Sequence, residues 1–472
     1  MPRKRRGENE TDFMKEEFIE QTKQLLSESE AAEFLKSMAG APSVSVRRNI
    51  HKTEDFSGQT DRVKWCENGK YLAERAPFTF DPLLHAGAYY VQDASSMFIQ
   101  TVVSRLTADG KPVRVLDLCA APGGKTTSVI DIVPDGSLVV CNEIMNNRAQ
   151  ILRENIIKWG APNCVVTNND SKDFVKLGTF FDIILVDAPC SGEGMMRKDQ
   201  EAVDQWTPKL VGQCVERQKM IVDNALQCLR PGGCLVYSTC TFNRHEDEEM
   251  LDYILSQCDG KIVDMEIPEE WGIREGIDTE HPCYRFMPHK TRGEGLFAGV
   301  FRKSEDADET APGVKIKKKK QAPVQIPKEA KNAVKNANKY VFAANADKII
   351  AMPEYCAEEM ELLGETLRVI YKGVQAGSIK GRDFVPGQAL AISGALNKDA
   401  FESVEVDYNQ AIAYLRGETI VLDNAPKGIV ALTYRNTVIG FAKNLGNRAN
   451  NLYPKEWRIK SAHLPEEPVK VI

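Results

Sequence analysis

The stretch from Val113 to Cys240 constrains this chain most, because three short apolar runs within it each stop at a small or reactive residue. The first is Val113-Arg-Val-Leu-Asp-Leu-Cys-Ala-Ala-Pro-Gly-Gly-Lys-Thr-Thr127. The second leads into Asp187-Ala-Pro-Cys-Ser-Gly-Glu-Gly194, and the third closes on Tyr237-Ser-Thr-Cys240. Runs of this kind read as parallel strands buried on both faces, and in open α/β sheets ligands gather where such strands end. At Pro-Gly-Gly a backbone without Cβ atoms lets a ligand approach before a helix begins. The other two runs deliver Asp187, Cys190 and Cys240 to the same sheet edge. Two thiols and a carboxylate beside a cofactor pocket describe a catalytic site.

The periodicity around these runs predicts strands at 113–119, 137–142, 163–168, 181–187 and 234–240, with a late strand from Leu296 to Phe301. Helices are expected near 125–132, 145–159, 208–229 and 245–257, the third broken by Pro231-Gly-Gly233. That alternation means a parallel sheet covered on both faces. The acids Glu246 to Glu249 read as a helix N-terminus complementing the macrodipole. Upstream, residues 12–39 read as two amphipathic helices with Met14, Phe18, Thr22 and Leu25 on one face. A capping box is expected at Ser27-x-x-Glu30 and a stop at Gly40. Residues 41–92 read as irregular, with Arg47, Arg48, Lys52, Arg62 and Lys64 among Phe56 and Trp65, and His85 and Tyr89 read as structural. Downstream come a linker, a mixed segment and a small β-barrel. Its Asn447-Arg-Ala-Asn-Asn-Leu-Tyr-Pro454 tail carries groups that reach phosphates and bases.

At 472 residues the chain is too long for one ordinary domain. The expected division is an N-terminal extension at 1–108, a catalytic domain at 109–303, a basic linker at 304–326, an intermediate domain at 327–398 and a β-rich end at 399–472. On that division, removing 304–472 should leave cofactor binding intact. No apolar run approaches the roughly 20 residues that cross a bilayer, and Met-Pro-Arg-Lys-Arg-Arg lacks a signal-peptide core. We therefore expect a cytoplasmic monomer with no membrane partner. Twelve cysteines without a Cys-x-x-Cys pair, and six scattered histidines, argue against a metal site. The net charge of −6 argues against a nucleic-acid partner, but residues 315–339 hold nine lysines and one acid, Glu329. Sign asymmetry matters more than the total, and Lys317 to Lys320 read as a solvated linker.

Glu143, ending the second strand, is placed to bond ribose hydroxyls, and Asp170, after the third, to accept from an adenine amino group. Ala-Pro-Gly-Gly is neither Gly-x-Gly-x-x-Gly nor a phosphate loop, which disfavours nicotinamide and triphosphate ligands. S-adenosylmethionine carries no phosphate and fits. Cys119, Cys141 and Cys164 read as small apolar fillers. Cys190 differs because it follows Pro189 and precedes Ser-Gly-Glu-Gly, and Cys240 because it lies between two threonines. A thiol becomes nucleophilic when positive charge lowers its pKa, and Lys125 or the sulfonium would do so. One reaction uses a thiol, an acid and a methyl-sulfonium together. A thiolate adds to carbon-6 of cytosine, carbon-5 then attacks the methyl group, a base takes the carbon-5 proton and the thiolate leaves. An acid near nitrogen-3 stabilises the charge that develops, and the base must leave its stack to be reached. Spacing alone leaves open which thiol attacks.

Cys119-Ala-Ala-Pro-Gly-Gly-Lys125, Asp187-Ala-Pro-Cys-Ser-Gly-Glu-Gly194 and Ser238-Thr-Cys240 resemble the signatures of the RNA cytosine carbon-5 methyltransferases of the NOP/Sun group. Tyr89-Tyr-Val-Gln-Asp93 and Asn447 to Pro454 resemble its ribosomal RNA small subunit methyltransferase F branch. The resemblance implies an α/β, Rossmann-like class I S-adenosylmethionine-dependent core, an α+β N-terminal extension and a β-rich, PUA-like RNA-binding end. It implies that Cys240 is the nucleophile, that Cys190 assists product release, and that Asp187 and Lys125 line the cytosine and methyl-donor site. The cofactor would be held by Cys119, Ala120, Ala121, Pro122, Gly123, Gly124, Lys125, Glu143, Arg148, Asp170 and Asp187. Pro189, Arg197 and Lys198 would meet the RNA, while Met195-Met196 depart from the small residues of the pattern. The rival readings are the same chemistry on transfer RNA and a ribosome-assembly RNA-binding protein with a vestigial core. Amino-group methylation is disfavoured, since no Asn/Asp-Pro-Pro-Tyr/Phe follows the fourth strand.

Overall fold

In the computed structural model, the residues described are 13–54, 61–307, 325–461 and 464–472. Two helices open the chain, Glu16–Leu25 and Glu28–Ala39. Their apolar face is the expected one, except that Leu26 rather than Leu25 is fully buried. Ser27 caps the second helix by accepting from the Glu30 N–H at 3.4 Å. The reciprocal half of the box is missing, because the Glu30 carboxylate pairs with Arg274, His289 and Lys290 instead. An expected helix cap thus anchors the helix to a distant stretch of chain.

Residues 44–91, expected to be irregular, form a four-stranded sheet: β1 (Val44–Arg48), β2 (Arg62–Val63), β3 (Cys66–Leu72) and β4 (Tyr89–Val91), in the order β2-β3-β1-β4. The alternation that reveals a half-buried strand is absent from β1, where Ser45, Val46 and Arg47 are all buried. Arg47 is internal. Its Nε donates to Gln92 Oε1 at 2.8 Å, its Nη1 to Asp131 and its Nη2 to Thr127, and its guanidinium lies 4.5 Å over the Trp159 ring. Lys52 likewise donates to the carbonyls of Ala86 and Lys158. His85 and Tyr89 are structural as read: the His85 ring bonds to the Thr79 carbonyl at 2.8 Å, and the Tyr89 hydroxyl donates to Asp81 at 2.9 Å.

The central runs become β5 (Arg114–Asp117), β6 (Leu138–Asn142), β7 (Cys164–Thr167), β8 (Phe181–Asp187) and β9 (Leu229–Thr239), followed by β10 (Gly260–Ile262), β11 (Cys283–Phe286) and β12 (Leu296–Lys303). They pair in the order β10-β12-β9-β8-β5-β6-β7, with β11 on β12; β9 to β7 are parallel and β10 to β12 antiparallel. Helices Gly124–Ile130, Asn146–Trp159 and Pro208–Cys228 fall where the periodicity put them. Pro231-Gly-Gly233 does not follow a loop but lies inside β9. The step from Leu229 to Cys234 there faces only Phe181 to Ile183 of β8, a bulge that Gly232 permits with φ +74°.

Downstream, β13 (Tyr340–Asn345), β14 (Lys348–Pro353), β15 (Val369–Lys372), β16 (Val374–Lys380) and β17 (Asp383–Pro386) divide between two sheets. Four of them pair as β13-β14-β16-β17, while β15 runs antiparallel to β7, with Val369 opposite Thr167. This covers what would otherwise be a bare sheet edge. Met352, Cys356, Met360 and Leu363 share one core with Leu116, Val165 and Ile184. Residues 304–472 are therefore not packed apart from the catalytic domain. Apolar side chains from 327–398 complete the core of the catalytic sheet, and periodicity cannot show which sheet a strand joins.

The last sheet is β18 (Glu402–Glu405), β19 (Gly428–Tyr434), β20 (Thr437–Asn444) and β21 (Ala449–Asn451), paired in that order in the β-rich end that was expected. Two of the tail groups expected to meet RNA are structural: Asn451 donates to the Tyr414 carbonyl at 2.7 Å, and Tyr453 is buried. Asn447, Arg448 and Asn450 are exposed. Lys317 to Lys320, and Arg3, Lys4, Arg5 and Arg6, lie outside the described residues. Among those described, no helix is long and apolar enough to cross a membrane.

The shared core makes a direct prediction. Leu363→Ala should cost about 2–5 kcal/mol, as for other fully buried leucines. In urea unfolding followed by fluorescence, the catalytic sheet and the downstream segment should lose stability in one transition. A lowered step for the downstream segment alone would contradict a common core.

Candidate active site

Parallel register sets Asp187 opposite Ser238, at the ends of β8 and β9. Ser238 Oγ donates to Asp187 Oδ1 at 3.0 Å, and Lys125 Nζ meets Asp187 Oδ2 at 2.8 Å. Just beyond these ends the chain delivers the two thiols, and Cys190 Sγ lies 3.2 Å from Cys240 Sγ. The loops that carry them are locked together. The Gly194 N–H donates to the Cys240 carbonyl at 2.8 Å. A Cβ at Gly194 would sit 2.9 Å from that oxygen and 2.5 Å from the Glu294 carbonyl, so only glycine fits.

Two buried carboxylates hold the loops from beneath. Glu193 accepts from the Phe242 N–H at 2.7 Å, Asn243 Nδ2 at 3.0 Å, Trp206 Nε1 at 3.1 Å and Gln21 Nε2 at 2.9 Å. Glu246 accepts from the Ser191 N–H at 3.0 Å, Gln218 Nε2 at 2.8 Å and Asn243 Nδ2 at 2.9 Å. Gln218 also donates to the Pro189 carbonyl at 3.2 Å. Hydrogen bonds to an ionised acceptor are about twice as strong as neutral ones, so this is a stiff mount. The acids expected at a solvated helix start are thus largely interior. Asp247 accepts from Thr239 at 2.6 Å, and Glu248 pairs with the buried Arg285. Helical spacing alone does not reveal that the chain folds over this turn.

The thiols differ in their surroundings. The hydrogen bond to Cys240, and then burial, push the Cys190 thiol well above its usual range. Burial works against the charge of Lys125, but the Asp187 carboxylate outweighs it and the ammonium is held above its ordinary value. Burial raises Cys119, Cys141 and Cys164, as suits fillers.

Across the sheet edge, acids stand at successive strand ends. Glu143 is buried and accepts from the Met145 N–H at 2.9 Å and from Arg148 at 3.2 Å. Arg148 also donates to the Ala121 carbonyl at 2.8 Å, bracing the glycine loop. The Ala120 N–H donates to the Asn142 carbonyl, and Pro122 presents its carbonyl to Asn155 at 2.8 Å. Gly123, at φ +112°, turns the loop into the helix that starts at Gly124. Asp170 is more exposed and accepts from the Lys172 N–H at 3.1 Å. Between Asp187 and Glu143 lies an acid the sequence reading passed over, Asp117 on β5. Its Oδ2 accepts from Thr126 at 2.6 Å, while its buried Oδ1 has no partner. Burial raises its pKa to about 7. Its position before the glycine loop was the available signal. With Asp117 the row runs unbroken from Asp187 to Asp170, and beyond Glu143 the apolar Ile144 and Met145 stand more than half exposed. Glycine loop, acids, apolar surface and an unpartnered carboxylate oxygen fit a nucleoside ligand with a positive centre.

Arg197 departs from expectation. Its guanidinium donates to the carbonyls of Gly293 and Ala41 at 2.8 Å, faces Glu294 at 3.5 Å, and leaves 8% of the side chain exposed. Internal partners occupy the charge that was expected to meet phosphate. Lys198, beside Asp93 and Glu294, keeps about a third of its surface. Among the described residues, no group of three or more His, Cys, Asp or Glu could hold a metal ion.

Comparison with known proteins gives three matching family models. They are the N-terminal domain of 16S rRNA methyltransferase RsmF over residues 14–94, 16S rRNA methyltransferase RsmB/F over 107–302, and the methyltransferase RsmF PUA domain over 401–459. The chain is 32% identical to the ribosomal RNA small subunit methyltransferase F of Shewanella sp. (strain ANA-3), covering 87% of this chain and 90% of that one. It is 30% identical to the protein of that name from Klebsiella pneumoniae (strain 342), covering 88% of each. A crystal structure of a methyltransferase homolog protein from Pyrococcus horikoshii superposes with a TM-score of 0.53 at 25% identity, covering 63% of this chain and all of that one.

The buried Asp117 makes stability depend on pH. Its pKa rises from 3.8 to about 7 on folding. Its stabilising contribution is therefore complete below the unfolded value and lost as pH rises through the folded one. Asp117→Asn keeps the shape of the protonated acid and should remove that loss. Relative to wild type, the variant should gain roughly 4 kcal/mol between about pH 4 and pH 7 in urea unfolding. A difference independent of pH would contradict the shift.

Proposed function

Because this chain belongs to the ribosomal RNA small subunit methyltransferase F family, we propose that it transfers a methyl group to carbon-5 of a cytosine in small-subunit ribosomal RNA through a covalent adduct on Cys240. The observation that carries this reading is the pair of thiols 3.2 Å apart beside the Lys125–Asp187 ion pair. S-adenosylmethionine, when bound, supplies an electrophilic methyl group. Glu143, braced by Arg148, would hold its ribose, Asp170 its adenine, and the 119–125 loop its methionine end. The exposed apolar Ile144 and Met145 and the row of carboxylates suit a cationic nucleoside.

The protein's own groups divide the work. Cys240, the nucleophile that the family resemblance implies, adds to carbon-6 of the flipped base with Cys190 in contact with its sulfur. Asp187, fixed by Lys125 and Ser238, faces the nitrogen-3 and amino edge of the cytosine as an acceptor, and the Lys125 ammonium beside it offsets the negative charge that collects on the ring as the adduct forms. Carbon-5 thereby becomes the nucleophile. After methyl transfer the carbon-5 proton must leave and Cys240 must depart from carbon-6. A base takes the carbon-5 proton, the freed electron pair re-forms the carbon-5–carbon-6 double bond, and Cys240 leaves as a thiolate, which Cys190 assists by hydrogen-bonding to the departing sulfur. Glu193 and Glu246 fix both loops, so the thiols need not reorganise between steps. The sheet ending in Asn447, Arg448 and Asn450 would grip RNA remote from the target base.

The thiol roles are testable with the full chain, S-adenosylmethionine and RNA from cells lacking the gene. Cys240→Ala should abolish turnover and give no adduct. Cys190→Ala should also lose turnover but accumulate a denaturant-resistant, nuclease-sensitive RNA–protein band on a denaturing gel. The reverse pattern would move the nucleophile to Cys190, and turnover without adduct in both variants would remove the thiols from the mechanism. Glu143→Ala should weaken S-adenosylmethionine binding by about 1–3 kcal/mol in calorimetric titration, the loss of a charge-assisted hydrogen bond. Wild-type affinity in that variant would contradict the ribose assignment.

A further inference from the structure

The segment 327–398 does more than cover a sheet edge. Where β15 meets β7, Arg368 closes a ladder of hydrogen bonds along the ligand-bearing strand ends. Its N–H donates to Asn169 Oδ1 at 3.0 Å, and its carbonyl accepts from the Asn168 N–H at 3.0 Å and Asn169 Nδ2 at 3.3 Å. The ladder continues inward. The Asn169 N–H donates to Asn142 Oδ1 at 3.0 Å, and Asn142 Nδ2 donates to the Asn169 carbonyl at 3.0 Å and the Leu118 carbonyl at 3.2 Å. Asn168 Nδ2 ties the same turn to the carbonyls of Glu143 and Ile144 at 2.8 and 2.9 Å. One polar network therefore joins the glycine loop, the Glu143 turn, the Asp170 turn and a strand from the downstream segment. Asn168 and Asn169 are both buried, so their bonds face no competition from water.

We propose that the Asn169–Arg368 pair positions Asp170, so that residues 367–372 form the outer wall of the methyl-donor pocket at its adenine end. The proposal rests on the reading of Asp170 as the adenine partner. Asp170 follows Asn169 directly and has only its own turn, through Lys172, to orient it otherwise. Removing the Asn169 side chain takes away two of the three bonds between the turn and Arg368, leaving the Asn168 N–H bond to the Arg368 carbonyl and the backbone bonds of Asn169 to Asn142. The downstream segment thereby reaches the donor site through the hydrogen bonds of Arg368.

The test uses the full chain and two probes, S-adenosylhomocysteine and its inosine analogue, in which oxygen replaces the adenine amino group. Wild type should prefer the adenosyl ligand. Asn169→Ala should raise its dissociation constant about tenfold, as expected for lost buried hydrogen bonds, and narrow that preference. Asn169→Asp, which keeps the acceptor for the Arg368 N–H, should fall between. Leu363→Ala, which loosens the same segment without touching the ladder, should lower the melting temperature yet leave both constants unchanged. Three results would overturn the proposal: unchanged binding in Asn169→Ala, weaker binding with the preference intact, or equal losses in Leu363→Ala. Failure of wild type to bind S-adenosylhomocysteine would instead sink the cofactor reading beneath it.

Discussion

The parallel pairing of β8 with β9 carries the site, because it sets Asp187 beside Ser238 and brings two loops together thiol to thiol. Neither loop reaches this arrangement by local preference. The Cys190 loop is short and carries Gly192 and Gly194, and the only apolar side chain that the Cys240 loop buries is Phe242. The register of two buried strands places their roots, and hydrogen bonds to Glu193 and Glu246 place their tips. A one-residue slip would turn every side chain of the strand to the opposite face and separate the thiols.

Such a mount requires charge inside the protein. Arg47 with Asp131, Arg285 with Asp247 and Glu248, and the carboxylates beneath the cysteine loops are all buried. Burying a charge is unfavourable unless it is paired and its remaining lone pairs are filled, and a well-packed apolar group would often be as stable. What these groups supply is direction. Arg47 ties the N-terminal sheet to the helix after the glycine loop, and Glu193 accepts from Gln21 of the first helix as well as from the Cys240 loop. The N-terminal extension is thus bonded into both halves of the site.

The opposite flank follows the same principle. β15 satisfies the exposed edge of β7, and the residues around it fill the core beneath. A strand that protects the sheet edge also reaches the strand ends where ligand-binding side chains gather. Edge protection and core completion are here one packing event, which places the catalytic sheet and the downstream segment in one core.

The order of the central strands, the glycine loop, Asp187 and the two cysteines were legible in the sequence, because apolar runs ending in reactive residues leave few alternatives for a parallel sheet. Cys119, Cys141 and Cys164 were separable as fillers for the same reason. The N-terminal sheet was hidden because β1 buries arginine and serine beside valine and shows no alternation. Arg197 read as a phosphate ligand and Glu246 as a helix cap because a charge in a sequence carries no record of its partner. Local pattern determines which residues can be strand, loop or helix. Only the tertiary structure decided which charges are internal, which sheet β15 joins and how near two thiols fifty residues apart come to rest. Those depend on long-range packing and on hydrogen bonds between segments that periodicity does not relate.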